Sequence, residues 1–306
     1  FLYRFNDSWL NLRVIGSLPP PRQTATEYYS EDLPTSMKEE AKTFFRHLLD
    51  TNGPVTDFID SDYTFVDKKL AKLYKLPERE TMRLADGFQR VSLENRNQRG
   101  GILGMAGVLT ASANGVDTSP VTRGVWVLEN MLGLPPPPPP DEVPAIESDV
   151  TGATTIRERL EKHRADATCN VCHRKIDPMG FALEHFDPIG RFRKEYKEPK
   201  GKKKEDAVDP SGMLPSGEAY TNFAEYKQLL LKTRSQFFVR HMVETMLSFA
   251  TGRRMEQVDQ IEVDRITQQV IASEYSINTM MDEVFASKIF RCLLYTSDAA
   301  DEEDSV

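Results

Sequence analysis

The sequence predicts a mainly α protein, built from helical domains with few or no strands. Apolar residues recur at three- and four-residue spacing through most of the chain, and these runs open and close on helix-capping residues. A length of 306 residues is enough to bury a real core and fill two or three domains. The balance of 39% hydrophobic and 28% charged residues describes a soluble globular chain, and no run of about 18 apolar residues suggests a membrane span. A net charge of -8 argues against nucleic acid as a general partner. Lys202, Lys203 and Lys204 (GKKKED) read as an exposed charged loop.

Residues 1–83 read as the C-terminal part of a truncated helical domain. The chain opens at Phe1 inside an apolar-periodic stretch, FLYRFNDSWLNLRVI, so its natural start, with any signal peptide, is expected to be missing. In SMKEEAKTFFRHLLDTNG, Ser36 and Glu39 form a capping box, Ala41, Phe44, Phe45, Leu48 and Leu49 supply an apolar face, and Asn52-Gly53 ends the helix. PVTDFIDSDYTFVDKKLAKLYKLP predicts a short helix, a turn and a second helix ending before Pro77. His47 reads as a surface or boundary residue.

Residues 84–200 form a second unit of different character. GGILGMAGVLTASANG is rich in small residues suited to close packing. In TSPVTRGVWVLENMLG, Ser119 is the N-cap and Pro120 the first helical residue. Val121, Val125, Leu128, Met131 and Leu132 then form a stripe closed by Gly133. Pro135 to Pro140 follow as a stiff extended strap of about 19 Å, and residues 141–153 read as a surface loop. TTIRERLEKHRADATCNVCHRKID predicts two helices. Three Asp-Pro-x-Gly sequences, beginning at Asp177, Asp187 and Asp209, read as turns.

Residues 201–222 are expected to be a linker loop, and residues 223–291 a C-terminal domain of three or four amphipathic helices. The clearest of these, SQFFVRHMVETMLSFATGRR, sets Phe238, Met242, Thr245, Met246 and Phe249 on one face and stops at Gly252. The string CLLYTSDAADEEDSV, residues 292–306, resembles translated sequencing-adapter read-through and is set aside as non-native, with Cys292.

The remaining two cysteines fall in one motif, Cys169-Asn170-Val171-Cys172-His173. On a helix, two thiols three residues apart lie on one side of a turn and reach the two vinyl groups of one porphyrin. The next residue can then place its imidazole beneath the ring as proximal iron ligand. Zinc fits less well, because no second cysteine pair completes four ligands. A thioredoxin-like pair would want a strand before the motif and a sheet around it. Two idle thiols on an inert helix are the remaining reading. Covalent haem c is the expectation, supported by Phe181, Leu183, Phe186, Ile189 and Phe192 close behind the motif.

Arg123, Arg191 and Arg193 are the candidate partners of the haem propionates. The sixth iron ligand stays open among Met105, Met131, Met179, Met213, Met246, His163, His185 and His241, with Met213 placed first. A vacant sixth position is the other option. Glu184 and Asp187 invite an acid–base role but read as helix-surface and turn residues.

The stretch RGGILGMAGVLTASANGVDTSPVTRGVWVLENMLGLPPPPPP, followed by LEKHRADATCNVCHRKIDPMGFALEHFDPIGRFR, resembles the Planctomycete-type cytochrome-like domain (domain of unknown function 1588) over about residues 96 to 195. The parts before and after resemble the domains of unknown function 1592 and 1585 that flank it in large multidomain proteins. The resemblance implies Cys169 and Cys172 as thioether positions and His173 as proximal ligand. It also implies a further cytochrome domain upstream in the full-length protein.

The function expected is an exported c-type cytochrome module, periplasmic or at the cell surface. It would bind one covalent haem and pass electrons to a redox partner protein or to the upstream cytochrome domain. The rival readings are a haem peroxidase or oxidase with an open distal site, and a helical scaffold in which haem is structural. No Walker-type glycine loop, Gly-x-Ser-x-Gly or cluster of metal carboxylates supports a nucleotide-binding, hydrolase or nuclease reading.

Overall fold

The computed structural model describes residues 1–77, 87–94, 98–115, 118–138, 156–165, 167–196 and 207–291. Pro139, Pro140, the loop at 141–153, Lys202 to Lys204 and the tail at 292–306 lie outside the described residues. The fold is mainly α, as expected. Helix α1 (Leu2–Trp9) is followed by α2 (Thr26–Ser30), α3 (Leu33–Thr51) and α4 (Lys68–Leu73). Next come α5 (Ala106–Ala111) and α6 (Pro120–Trp126), which runs on into a π-helical turn, Val127–Met131. Helix α7 (Ile156–His163) precedes α8 (Ala167–Phe181), which carries the cysteine motif. Three helices close the chain: α9 (Phe223–Thr251), α10 (Gln260–Ala272) and α11 (Ile277–Ala286).

Two small antiparallel pairs are the exceptions among the described residues. Strand β1 (Tyr63–Val66) pairs with β2 (Gln89–Ser92), Tyr63 opposite Ser92. Strand β3 (Gly212–Met213) pairs with β4 (Ala219–Tyr220) inside the segment expected to be a linker. Tyr63–Val66 belongs to a stretch expected to be a helix, turn and helix. All four of its residues are buried, and a short run buried on both faces carries no period of two to read.

Helix boundaries follow local chemistry with one shift. Helix α3 begins at Leu33, with Asp32 in the left-handed region and Pro34 in the first turn. Ser36 is therefore inside the helix, and its hydroxyl donates to Asp67 Oδ2 at 2.6 Å instead of capping. Asn52 ends the helix at φ +51°, as Asn-Gly suggested. Ser119 caps α6, its Oγ accepting from Thr122 N at 3.3 Å.

One hydrophobic core runs through the whole molecule. Trp9 stands at its centre, edge-on to Phe58 at 5.1 Å and tilted against Phe238 at 6.4 Å, with its indole N–H donating to the Asn130 carbonyl at 2.8 Å. Helix α1, the segment before β1, the π-helical turn and α9 therefore meet on one residue. Polar clasps join the same parts. Lys227 of α9, fully buried, lies 2.7 Å from Asp60 and donates to the Arg99 carbonyl at 2.7 Å. Arg99 in turn donates to the Gly104 and Gly190 carbonyls at 2.8 and 2.6 Å. The frame that carries α8 is thus tied to both the N-terminal and C-terminal helices.

Candidate cofactor site around Cys172 and His173

Helix α8 is held against α6 backbone to backbone. A Cβ at Gly180 would lie 1.8 Å from the Pro120 carbonyl oxygen, and one at Gly124 would lie 2.1 Å from that of Ile176. Two glycines, one on each helix, allow this approach. The C-terminal half of α8, with Ile176, Asp177, Met179 and Phe181, is buried, while the half that carries the motif is only partly covered. Cys169 and Cys172 are half-buried there, and neither forms a disulfide.

The Asp177-Pro178-Met179-Gly180 sequence, expected to be a turn, lies within α8, with Pro178 inside the helix. The tyrosines beside it supply hydrogen bonds. The Tyr220 hydroxyl donates to the Pro178 carbonyl, and the Tyr226 hydroxyl donates to the Met179 carbonyl at 3.2 Å. The second sequence, from Asp187, does form a turn, its Oδ1 accepting from Ile189 N at 3.0 Å and Arg191 N at 2.9 Å. The third is a local turn in which Asp209 Oδ1 accepts from Ser211 N at 2.9 Å.

Keeping Asp177 helical places its carboxylate one turn beyond His173. His173 Nδ1 lies 2.9 Å from Asp177 Oδ1, the carboxylate being fully buried. A carboxylate can only accept, so this bond puts the imidazole proton on Nδ1 and leaves the Nε2 lone pair for a ligand. Ligating histidines are commonly oriented by such a backing group. Arg164 Nε stands 3.8 Å from the other carboxylate oxygen, and the His163 ring packs edge-on against that of His173 at 4.8 Å.

On the other flank of α8 opens a cavity of about 520 Å³. Val171, Cys172, Lys175 and Met179 form one wall, and Leu128, Leu132 and Leu134 form another. Pro135 to Pro137, Pro215, Arg234 and Phe237 complete it. Its size is typical of small-molecule and cofactor sites, and it is apolar apart from two cations. Leu134, Val171 and Phe237 are large apolar residues left 43%, 56% and 44% exposed around it. The π-helical turn supplies Leu128 to the wall, and such turns recur at functional sites. His173 does not line this cavity.

The residues present fit a covalently attached porphyrin in their chemistry. They offer two thiols outside any disulfide at the required spacing, an imidazole with a buried carboxylate behind it, and an apolar cavity beside one thiol. Cys169, Cys172 and His173 would hold it, and of these three only Cys172 borders the cavity.

The other sequence candidates lie elsewhere. Arg123 is fully buried and donates to the Leu183, Phe186 and Asp187 carbonyls at 2.6, 2.7 and 3.1 Å. It clasps the turn after α8 and has no open face for a propionate. Burial also pulls its pKa down to about 10, against the partial opposition of Glu184. Arg191 is occupied by Asp187, Glu27 and the Thr24 carbonyl, and Arg193 by the Glu184 carbonyl and Thr118. Phe181 is buried beneath the Arg157 guanidinium, 4.0 Å from its ring centroid, and does not line the cavity. Leu183, Phe186 and Ile189 fill the core instead.

Met213, 60% exposed on β3, also stays off the cavity wall, whereas Met179 lies on it with its sulfur 3.5 Å from the Tyr226 hydroxyl. Met105, Met131 and Met246 are core residues. His185 stacks on Phe192 and its Nδ1 lies 2.8 Å from the Arg193 carbonyl oxygen, while His241 packs against Gly133. Glu184 is not at the surface as expected. It is fully buried and accepts from Thr118 and Tyr196, both at 3.1 Å.

Asp177, Lys175, Arg234 and Phe237 were not singled out from the sequence. The four-residue spacing of His173 and Asp177 carried a usable signal, hidden because Asp-Pro reads as a turn. The approach of Arg234 and Phe237 is tertiary.

Three family models match successive parts of the chain: protein of unknown function DUF1592 over residues 1–76, DUF1588 over residues 99–196 and DUF1585 over residues 216–290. These are planctomycete cytochrome-like domains, in the order and at the positions expected. No curated protein and no solved structure matches the chain. No helix among the described residues is long and apolar enough to cross a membrane.

Proposed function

We propose that this chain, a succession of three planctomycete-type cytochrome-like domains, is an exported c-type cytochrome module. It carries one haem on Cys169, Cys172 and His173 and passes single electrons to a redox partner or a neighbouring cytochrome domain. The observation that supports this most is the pairing of His173 Nδ1 with the buried Asp177 carboxylate on the helix that carries both cysteines. Bound haem supplies the one-electron chemistry. The chain's own residues do the rest. Asp177 fixes the tautomer and direction of His173, the thiols anchor the ring, and the apolar walls exclude water from it. Covalent attachment of haem takes place outside the cytoplasm, which makes the periplasm or cell surface its compartment.

A pyridine haemochrome spectrum tests the proposal, on protein produced with a cytochrome c maturation system and then extracted with acidified acetone. A c-type band that survives extraction is expected. Haem that extracts freely, or no haem at all, would overturn it.

One observation favours a second reading, a peroxidase or oxidase with an open distal site. Among the described residues, Met179 is the only methionine on the cavity wall, and it shares a helix with His173. A high-spin iron that binds added cyanide rapidly would support this reading over simple electron transfer.

A further inference from the structure

Of the cysteine motif, only Val171 and Cys172 line the cavity, while His173 is turned toward Asp177 on the other flank of α8. The cavity can therefore take a ligand of its own. Among the described residues its lining is three leucines, four prolines, Val171, Cys172, Met179 and Phe237, with Lys175 and Arg234 as the only charged groups. Both cations lie toward solvent. Lys175, one helical turn beyond Cys172, is exposed, and Arg234 approaches half-buried from α9, one turn before Phe237. The Arg234 guanidinium donates only to neutral acceptors, the Thr233 carbonyl at 3.0 Å and Ser216 Oγ at 2.6 Å. No ion pair within 4.0 Å involves either side chain among the described residues, although Glu218 feels the charge of Arg234 from further off.

We propose that this cavity binds a small apolar monocarboxylate, its hydrocarbon body against the leucines and prolines and its carboxylate at the two cations. The proposal goes beyond the haem reading and does not depend on it. A cavity of about 520 Å³ suits a ligand of this size class. The apolar body gains by leaving water for such walls. The carboxylate needs a charged partner or contact with water, and at the mouth it has both, the arginine fork offering it two parallel bonds. The lysine stem can lie along the apolar wall with its ammonium outside. A cationic head would meet two like charges, and a neutral ligand would leave both cations unused.

Decanoate, decanol and decyltrimethylammonium share a tail and differ in head, and titration calorimetry of each against the full chain tests the proposal. Decanoate should bind about tenfold more tightly than decanol, and decyltrimethylammonium most weakly. Lys175→Gln and Arg234→Gln should each weaken decanoate by about three- to tenfold and leave decanol unchanged. Lys232→Gln, an exposed charge on the same helix but off the cavity, should change neither. Phe237→Ala should weaken both. Equal affinity for decanoate and decanol, decanoate binding that survives the double Gln variant, or no binding at millimolar decanoate would overturn the proposal. The same titration on the haem-loaded chain separates the two readings. Decanoate binding that persists there supports a site distinct from the haem, and binding lost on haem attachment would return the cavity to the haem and overturn the proposal. A chain that binds decanoate but takes up no haem would overturn the haem reading alone.

Discussion

His173 Nδ1 lies 2.9 Å from the fully buried Oδ1 of Asp177, one helical turn along α8. The contact exists because the chain stays helical through Asp177-Pro178, where the sequence suggests a turn. The carboxylate both aims the imidazole and strengthens it as a donor. Asp177→Asn keeps the shape and removes the charge. In the haem-loaded chain this variant should raise the midpoint potential, since a weaker donor stabilises oxidised iron less. It should also ease displacement of His173 by added imidazole by about 10- to 100-fold. Spectroelectrochemistry and an imidazole titration measure both effects. Unchanged values in a folded variant would remove Asp177 from any role behind the histidine.

Lys227 and Asp60 form the buried clasp that ties α9 to the segment before β1, with side-chain exposures of 0% and 1%. Lys227→Met leaves Asp60 without its countercharge and the Arg99 and Gly100 carbonyls without a donor. Breaking one half of a buried pair costs about 3–5 kcal/mol. Lys227→Met/Asp60→Asn should recover a large part of that loss, because the stranded charge is gone. Urea unfolding of the two variants measures the difference, and equal midpoints would show that charge is not what the clasp contributes.

The crossing of α6 and α8 depends on absent side chains. A methyl group at Gly180 would stand 1.8 Å from the Pro120 carbonyl oxygen, which is backbone and cannot turn aside. Gly180→Ala should therefore cost at least the 1–3 kcal/mol of an overpacked core, a fall in Tm of roughly 2–4 °C per kcal/mol. It should also shift α8 and so disturb the thiols. A melting curve that matches the parent chain would show that the helices do not meet this closely.

How much of this could be read in advance depended on where the signal lay. The cysteine motif, the Ser119-Pro120 helix start and the Gly252 stop are local, and caps act through neighbouring backbone. Strand Tyr63–Val66 was hidden because burial of every residue erases the alternation that reveals a strand. The aromatic residues after the motif suggested a haem face, but Phe181 and Phe186 serve the core. Arg123 resembled any surface arginine until the turn carbonyls converged on it. The cavity joins the strap, the π-helical turn, α8 and α9, and that meeting is decided by tertiary packing.

A last prediction concerns Glu40, which nothing at the cofactor site uses. It is fully buried, accepting from Tyr74 at 2.5 Å and from Thr64 at 2.8 Å, while Tyr74 accepts in turn from the Ala106 N–H at 2.8 Å. Loss of hydration pushes its pKa up to about 7, although the hydrogen bonds from Tyr74 and Thr64 and the charge of Arg99 act the other way. The unfolded chain releases this proton near the ordinary value of 4.5, so between that pH and about 7 the folded state holds more protons. Stability should therefore fall as pH rises through this window, by up to the order of 3 kcal/mol, and level off above it. Paired carboxylates elsewhere, such as Asp259 with its pKa held at about 2 by Arg253, lose their contribution only at far lower pH. Urea midpoints at pH 5 and pH 8 read the slope, and Glu40→Gln should flatten it. A slope that persists undiminished in the variant would place the titrating group elsewhere.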